Sequence, residues 1–288
     1  MNILLTAANS FIGRNLGAYL HGKGHLITAT VRRDKSDSFK PPWLSRSFAW
    51  DIRNPEQADA SIFNGVNSVV HLAHDFGPGM VEANIEATGF LSEKASKAGV
   101  EKQIFLSSYS ARPDAVSDYG IIKYRLERYF LERGHVIVRP GLVIGNGGMF
   151  LRFFKAVRKY PVIPLINGGR GETPVISIGQ LCEVVDGIIS SPVSETQFNA
   201  FYPEMPTMRT LVETMKQVAG RKTMLVPVPP GLVLFAASLC SLLGITPPFD
   251  AGSVKNFRKN QERIHHSNIA GFLRSYDSLL DAVEAALP

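Results

Sequence analysis

Short apolar runs and amphipathic segments alternate along the first half of the chain. NILLT (2–6) is a compact apolar run. In FIGRNLGAYLHGKG, residues 11, 12, 16, 19 and 20 are apolar at helical spacing, and the stretch closes on a glycine. HLITATVR (25–32) is rich in β-branched residues and reads as a strand, as does SFAWDI (47–52). A helix is expected across 55–63. NSVVHLA (67–73) is nearly unbroken in its apolar character, the signature of a strand covered on both faces. EANIEATGFLSEKASKAG (82–99) predicts a long helix ending at Gly99, QIFLSS (103–108) a strand, DYGIIKYRLERYFLERG (118–134) a helix and VIVRPG (136–141) a strand.

Repeated strand–helix–strand units imply right-handed crossovers and a parallel sheet with helices on both faces. The expected fold is α/β, a Rossmann-type doubly wound parallel sheet. Such sheets bind ligands at the carboxyl ends of their strands, near the topological switch. Chemistry is therefore expected at 6–10, 32–33, 73–76 and 107–110. Past residue 145 the pattern loosens: GNGG, NGGRGE and several prolines interrupt it, and helical spacing returns at 209–220 and 278–287. The expected division is a nucleotide-binding domain over 1–145 and a smaller C-terminal substrate lobe over 146–288, interwoven with the first.

Composition narrows the classes. Of 288 residues, 45% are hydrophobic and 19% charged, enough apolar material for a large packed domain. Lys plus Arg outnumber Asp plus Glu by 31 to 25, a net +6 spread along the chain without a block of like charge. Nucleic acid is therefore not an expected partner, while a mild basic excess suits anionic small molecules. Cys182 and Cys240 stand alone, with no metal-ligand spacing around them, so no metal is expected and both read as buried reduced thiols. The strand-like start MNILLTA lacks the pattern of a secretory signal, and a cytoplasmic location is expected. GLVLFAASLCSLLGI (231–245) is apolar all round yet short of a bilayer span. It reads as a buried helix, with a membrane-surface role as the lesser alternative.

Two stretches carry candidate chemistry. Tyr119 and Lys123 lie four residues apart, on one face of a helix. A neighbouring ammonium favours the phenolate, so this pair can supply a proton donor or acceptor near neutral pH. A snorkelling surface pair gives the same spacing. In FLSSYSA (105–111) a strand ends on hydroxyls at the sheet's carboxyl edge, and Ser108 can hydrogen-bond a substrate oxygen. No nucleophile elbow surrounds it.

LLTAANSFIGRNL, ITATVRRDK, WDIRNPEQ, VNSVVHLAH, NIEATGFLSEKASKAGVEKQIFLSS, YGIIK and VIVRPGLVIG run in the order of the extended and atypical short-chain dehydrogenase/reductases. The chain resembles that superfamily, which includes nucleotide-sugar epimerases, dehydratases and ketoreductases, over residues 1–145. FNAFYPEMPTMRTLVETMKQVAGR and GFLRSYDSLLDAVEAAL resemble its substrate lobe and final helix. The resemblance implies Tyr119 as general acid/base, Lys123 as the residue that lowers the tyrosine pKa and grips the nicotinamide ribose, and Ser108 as the hydroxyl orienting the carbonyl, with Ser107 and Ser110 as lesser candidates. It implies cofactor contacts from Ala8, Asn9, Ser10, Phe11, Ile12 and Gly13, from Asp51 and Ile52 beside the adenine, from Leu72, Ala73 and His74, and from Pro140. Asn84 matches a structural asparagine.

The chain departs from the family's TGxxGxxG loop, which here is TAANSFIG (6–13). Gly13 keeps the helix-packing glycine, Ala7 must make the turn with a Cβ, and Ser10 places a hydroxymethyl near the phosphates with a hydroxyl able to bond one. The helix start still offers amides to an anion. The gap from Ser108 to Tyr119 is also short. Arg32 and Arg33, ending the second strand, favour the 2′-phosphate of NADP over NAD. The expected activity is an NADP-dependent reductase or epimerase acting on a carbonyl or carbinol of a small molecule, with nucleotide sugars as a candidate class. The alternative is a non-catalytic NADP-sensing regulator of the same fold. The expected partner is a small-molecule substrate, and a homodimer stays open.

Overall fold

The computed structural model describes residues 1–32, 34, 38–229, 231–232 and 264–287. Its centre is a seven-stranded sheet of β1 (Asn2–Leu5), β2 (Leu26–Val31), β3 (Arg46–Ala49), β4 (Ser68–His71), β5 (Lys102–Leu106), β6 (Val136–Pro140) and β10 (Gln197–Ala200). The strands are all parallel, in the order β10-β6-β5-β4-β1-β2-β3. This is the doubly wound Rossmann arrangement, with its switch between β1 and β4. Every residue of β4 is buried, as a central strand with helices on both sides requires.

α1 (Phe11–Gly22) covers one face, and α2 (Val81–Lys97) and α3 (Asp118–Leu131) pack together on the other. Leu16 and Leu20 of α1 join Ile3, Leu5 and Ile27 of the sheet in the larger core. Ala87, Leu91 and Ala95 of α2 meet Leu4 and Val69 on the opposite face. The expected helix over 55–63 resolves into two 3-10 turns, Pro55–Gln57 and Ala60–Phe63. Between them Asp59 turns out of helical geometry and accepts the Ser61 amide, a cap that restarts the chain.

The region beyond 145 is more regular than its sequence reads. After β7 (Leu142–Ile144), which ends just before it, it holds α4 (Gly148–Lys159), β8 (Val162–Ile166), β9 (Val175–Ser177), α5 (Ile178–Ser190), α6 (Met208–Val218), β11 (Met224–Val228) and α7 (Leu279–Ala285). β7 pairs with β9 and β8 with β11 in two small parallel sheets. β10 closes the edge of the main sheet and α5 packs on α1, so the second half is woven into the first. Of the apolar segment 231–245 all but its first two residues lie outside the described residues, as do Arg33 and Cys240. Among the described residues no helix is long and apolar enough to cross a membrane. Cys182 is a buried free thiol, pushed up to about 12 by burial, a packing group rather than a nucleophile.

Candidate functional site

The turn from β1 into α1 is held by its own substitutions. Ala7 takes the left-handed conformation at φ 48°, a region that favours glycine. The turn is fastened by Ser10 N donating to the Ala7 carbonyl at 2.9 Å and Ala8 N to the Thr30 carbonyl at 3.1 Å. Ser10 is the N-cap of α1: its Oγ accepts the Gly13 amide at 3.1 Å. The hydroxyl expected to reach toward a phosphate is thus committed to the helix start, while the first amides of α1 lack intrahelical partners, as at any helix start. A Cβ at Gly13 would come within 2.7 Å of the Ala7 carbonyl oxygen, so this glycine permits the close approach of helix and turn. Thr6 Oγ1 accepts the amides of Leu72 and Ala73 at 2.7 and 2.9 Å, tying β1 to the end of β4.

Beside this turn opens a cleft of about 270 Å³ at the carboxyl ends of β1, β2, β3 and β4. Ala7, Asn9, Ser10, Thr30, Val31, Arg32, Trp50, Asp51, Ile52, Ala73, His74, Asp75 and Phe76 line it. Arg32 faces Asp34 across 3.4 Å at its exposed rim. Arg53 Nε donates to Asp75 Oδ2 at 2.8 Å, and that bond holds the Asp75 carboxyl below the usual carboxylate range. Asn84 clamps the loop behind Asp75: its Oδ1 accepts the Asp75 amide and its Nδ2 donates to the carbonyls of Asp75 and Met80. That is a structural role.

At the far end, α3 presents Tyr119 and Lys123, with Ser117 capping the helix through the Gly120 amide. Ser108, two residues beyond β5, has its hydroxyl near enough to Tyr119 to favour the phenolate. Lys123 is 4% exposed, donates from Nζ to the Leu106 carbonyl at 2.7 Å, and lies 4.7 Å from the Phe105 ring centroid and 5.7 Å from that of Tyr119. Burial drives its ammonium down to about 7, against the pull of Glu127. Burial raises the Tyr119 phenol, and the nearby Ser108 hydroxyl only partly offsets it. The expected lowering of the tyrosine by its lysine is therefore absent: the ammonium points to a backbone carbonyl and to ring faces. His74 is held neutral, with a pKa of about 3, first by burial and then by Lys123. Beneath them Glu127 is bonded to Arg139 by Nε–Oε1 at 2.6 Å and Nη2–Oε2 at 2.5 Å, a buried pair that keeps both charges satisfied.

Of the residues expected at a cofactor, Asn9, Ser10, Arg32, Asp51, Ile52, Ala73 and His74 line the cleft. Ala8 is fully buried, Gly13 serves helix packing, and Phe11 is seated on the glycines after β7, where a Cβ on Gly147 would come 2.2 Å from its ring. Ile12, Leu72 and Pro140 are not part of the lining, and neither is Lys123, which lies at Tyr119. Ser107 is buried; Ser110 bonds the Ser108 hydroxyl through its amide at 3.2 Å. The lining also includes Asp75 and Phe76, which fall in the strand end 73–76 where chemistry is expected, and Thr30, Val31 and Trp50, which the sequence reading did not single out. Their signal was adjacency: Trp50 precedes Asp51, and Asp75 and Phe76 follow His74. Among the described residues no cluster of three or more His, Cys, Asp or Glu is placed to hold a metal.

Several known proteins share this architecture. A nucleoside-diphosphate-sugar epimerase from Staphylococcus aureus superposes over 99% of this chain and all of its own, with a TM-score of 0.77 at 17% identity. The crystal structure of gox2253 matches 99% of this chain and 96% of its own at 0.75 and 20% identity. A UDP-glucuronic acid 4-epimerase from Bacillus cereus, solved with UDP-glucuronic acid and NAD, matches 99% and 98% at 0.69 and 16% identity. At such identities these likenesses speak to the fold. In sequence, the uncharacterized protein y4nG of Sinorhizobium fredii is 26% identical over 188 residues, covering 57% of this chain and 46% of that protein, so the chain spans about half the length of the curated relative it matches. The sequence model of the NAD dependent epimerase/dehydratase family matches residues 3–147, about half of the chain and the whole stretch from β1 through β7, and the chain belongs to that family.

Proposed function

We propose that the protein is an NADP(H)-dependent oxidoreductase of the extended short-chain type, acting on a carbonyl or carbinol carbon of a small molecule, with nucleotide sugars as the first class to test. The observation that carries this reading is the meeting of Ser108, Tyr119 and Lys123 at the strand ends, next to the cleft that begins at the α1 turn. The residues present fit a dinucleotide. The helix start is free to hold an anion, Asp51 and Ile52 line a cleft of nucleoside size, and Arg32 stands where a 2′-phosphate is read. The second half of the chain, from residue 146, serves as the substrate lobe.

The cofactor, when bound, supplies or accepts a hydride at the substrate carbon. Tyr119 holds the substrate oxygen and passes the proton at its hydroxyl. Ser108, whose hydroxyl lies near that of Tyr119, orients the oxygen. Lys123, buried and close to neutrality, steadies the tyrosine ring and can switch its charge near pH 7. Neutral His74 keeps the surrounding wall uncharged.

A second reading, a non-catalytic NADP sensor, draws on the altered turn, where Ala7 carries positive φ and Ser10 is committed to the cap. NADPH consumption across a panel of carbonyls and nucleotide sugars separates the two. Turnover by the wild type is expected; dinucleotide binding without turnover on any member favours the sensor.

A further inference from the structure

Phe76 is 79% exposed, the most open large hydrophobic side chain among the described residues. So exposed a ring adds little to folding, and single exposed apolar residues are ordinary. This one has a particular neighbour. Its ring lies on that of Tyr119, 5.8 Å between centroids and 17° from parallel, and His74 meets it edge-on at 4.4 Å. His74 also meets Tyr119 edge-on at 5.0 Å, closing a cluster of three rings. The backbone carrying Phe76 is anchored on both sides. Asp75 is clamped by Asn84 and Arg53, and the Gly77 amide donates to Asp75 Oδ1 at 2.8 Å. Phe76 therefore stands between the cleft it lines and the tyrosine it stacks on. The stack covers the Tyr119 ring rather than its hydroxyl's partner, since the nearby Ser108 hydroxyl still acts on the phenol.

We propose that Phe76 is a specificity-determining residue: the stacking platform for the part of the substrate that adjoins the reacting carbon. The inference rests on the oxidoreductase reading above and narrows it. A substrate whose oxygen reaches Tyr119 lays its neighbouring atoms along the phenyl ring. The chemistry that such a surface recognises is a flat face poor in hydroxyls, either the plane of an aryl ketone or the C–H face of a pyranose.

The test uses the full chain saturated with NADPH or NADP⁺, with acetophenone and UDP-glucose as the two probes and calorimetry as the readout. Phe76→Ala should weaken whichever probe the wild type binds by roughly two- to tenfold, the range aromatic stacking gives. Phe76→Trp should retain binding, and Phe76→Leu, similar in bulk but not planar, should not. Because Phe76 also lines the cleft, NADPH affinity should fall by less than the probe's in these variants, while affinity for 2′,5′-ADP, held at the Arg32 end, should stay unchanged. Which probe responds tells an aryl from a sugar substrate. The platform is overturned if Phe76→Ala binds the probe as the wild type does. It is also overturned if NADPH affinity falls by the same factor, which would make the ring a cofactor contact, or if the loaded wild type binds neither probe. A wild type that binds no NADPH at all removes the oxidoreductase reading, and the platform falls with it.

Discussion

At the α1 end of the cleft, Arg32 and Asp34 face each other at 3.4 Å with both side chains more than half exposed, and Arg53 reaches Asp75 from an equally open position. At the α3 end, Lys123 is buried, His74 is kept neutral and the Tyr119 phenol is raised, each mainly through loss of water. Exposed ion pairs contribute little to stability and exchange readily, so the first end can trade Asp34 for a phosphate. Buried groups have no such freedom, and their protonation is set by the fold. One end is suited to selecting an anion, the other to moving a proton.

The largest expected effect lies at the buried end. Tyr119→Phe should lower kcat about 10²–10⁴-fold, the share of a positioned acid/base, while NADPH affinity measured by fluorescence stays put. Unchanged turnover would remove Tyr119 from the chemistry. Lys123 gives the next effect, in stability. Its folded pKa of about 7 lies below the ordinary lysine value, so between about pH 7 and about pH 10 the unfolded chain holds a proton the folded chain releases. Wild-type stability should therefore rise through that window relative to Lys123→Met, by up to about 1.4 kcal/mol per pH unit. Urea unfolding of both proteins across the window checks this, and parallel curves would mean that the lysine is not desolvated.

At the exposed end the effects are smaller. Arg32→Ala should weaken NADPH by about 1.5 kcal/mol, the low end for a hydrogen bond to a charged group, and leave NADH nearly unchanged. Equal losses for the two cofactors would show that Arg32 does not read the 2′-phosphate. The smallest effect concerns the turn itself. Because Ala7 holds φ 48°, Ala7→Gly relieves about 1–2 kcal/mol of left-handed strain and costs about 0.4–1 kcal/mol of added chain entropy, so stability should rise slightly, by up to about 1 kcal/mol. Thermal unfolding decides it, and a lower midpoint would place the strain elsewhere.

The same contrast separates what the chain makes legible from what it hides. Apart from β3 (RSFA), the strands of the main sheet up to β6 are carried by apolar or β-branched residues, and the Tyr119–Lys123 spacing follows from helix geometry alone. β7 and β9 are three residues long, too short for a period to declare itself, and β10, though as long as β1 and β4, lies far along the chain from β6, with which it pairs. The split of 55–63 depends on one cap at Asp59. At the site, sequence placed Ser10 near the phosphates but could not say that its hydroxyl is spent on Gly13. Nor could it say that Lys123 bonds the Leu106 carbonyl, because side-chain direction and burial emerge only once the elements pack. Phe76 was hidden for the same reason: its stack on Tyr119 joins a loop after β4 to a helix more than forty residues later.

On the proposed reading, a cleft opened by an alanine–serine turn still receives a dinucleotide and delivers its reactive end to Tyr119. Titration of the wild-type protein with NADPH and NADH, followed by nicotinamide fluorescence, is the decisive experiment. Saturable binding of both is expected, tighter for NADPH. Absence of binding of either at millimolar concentration would contradict it.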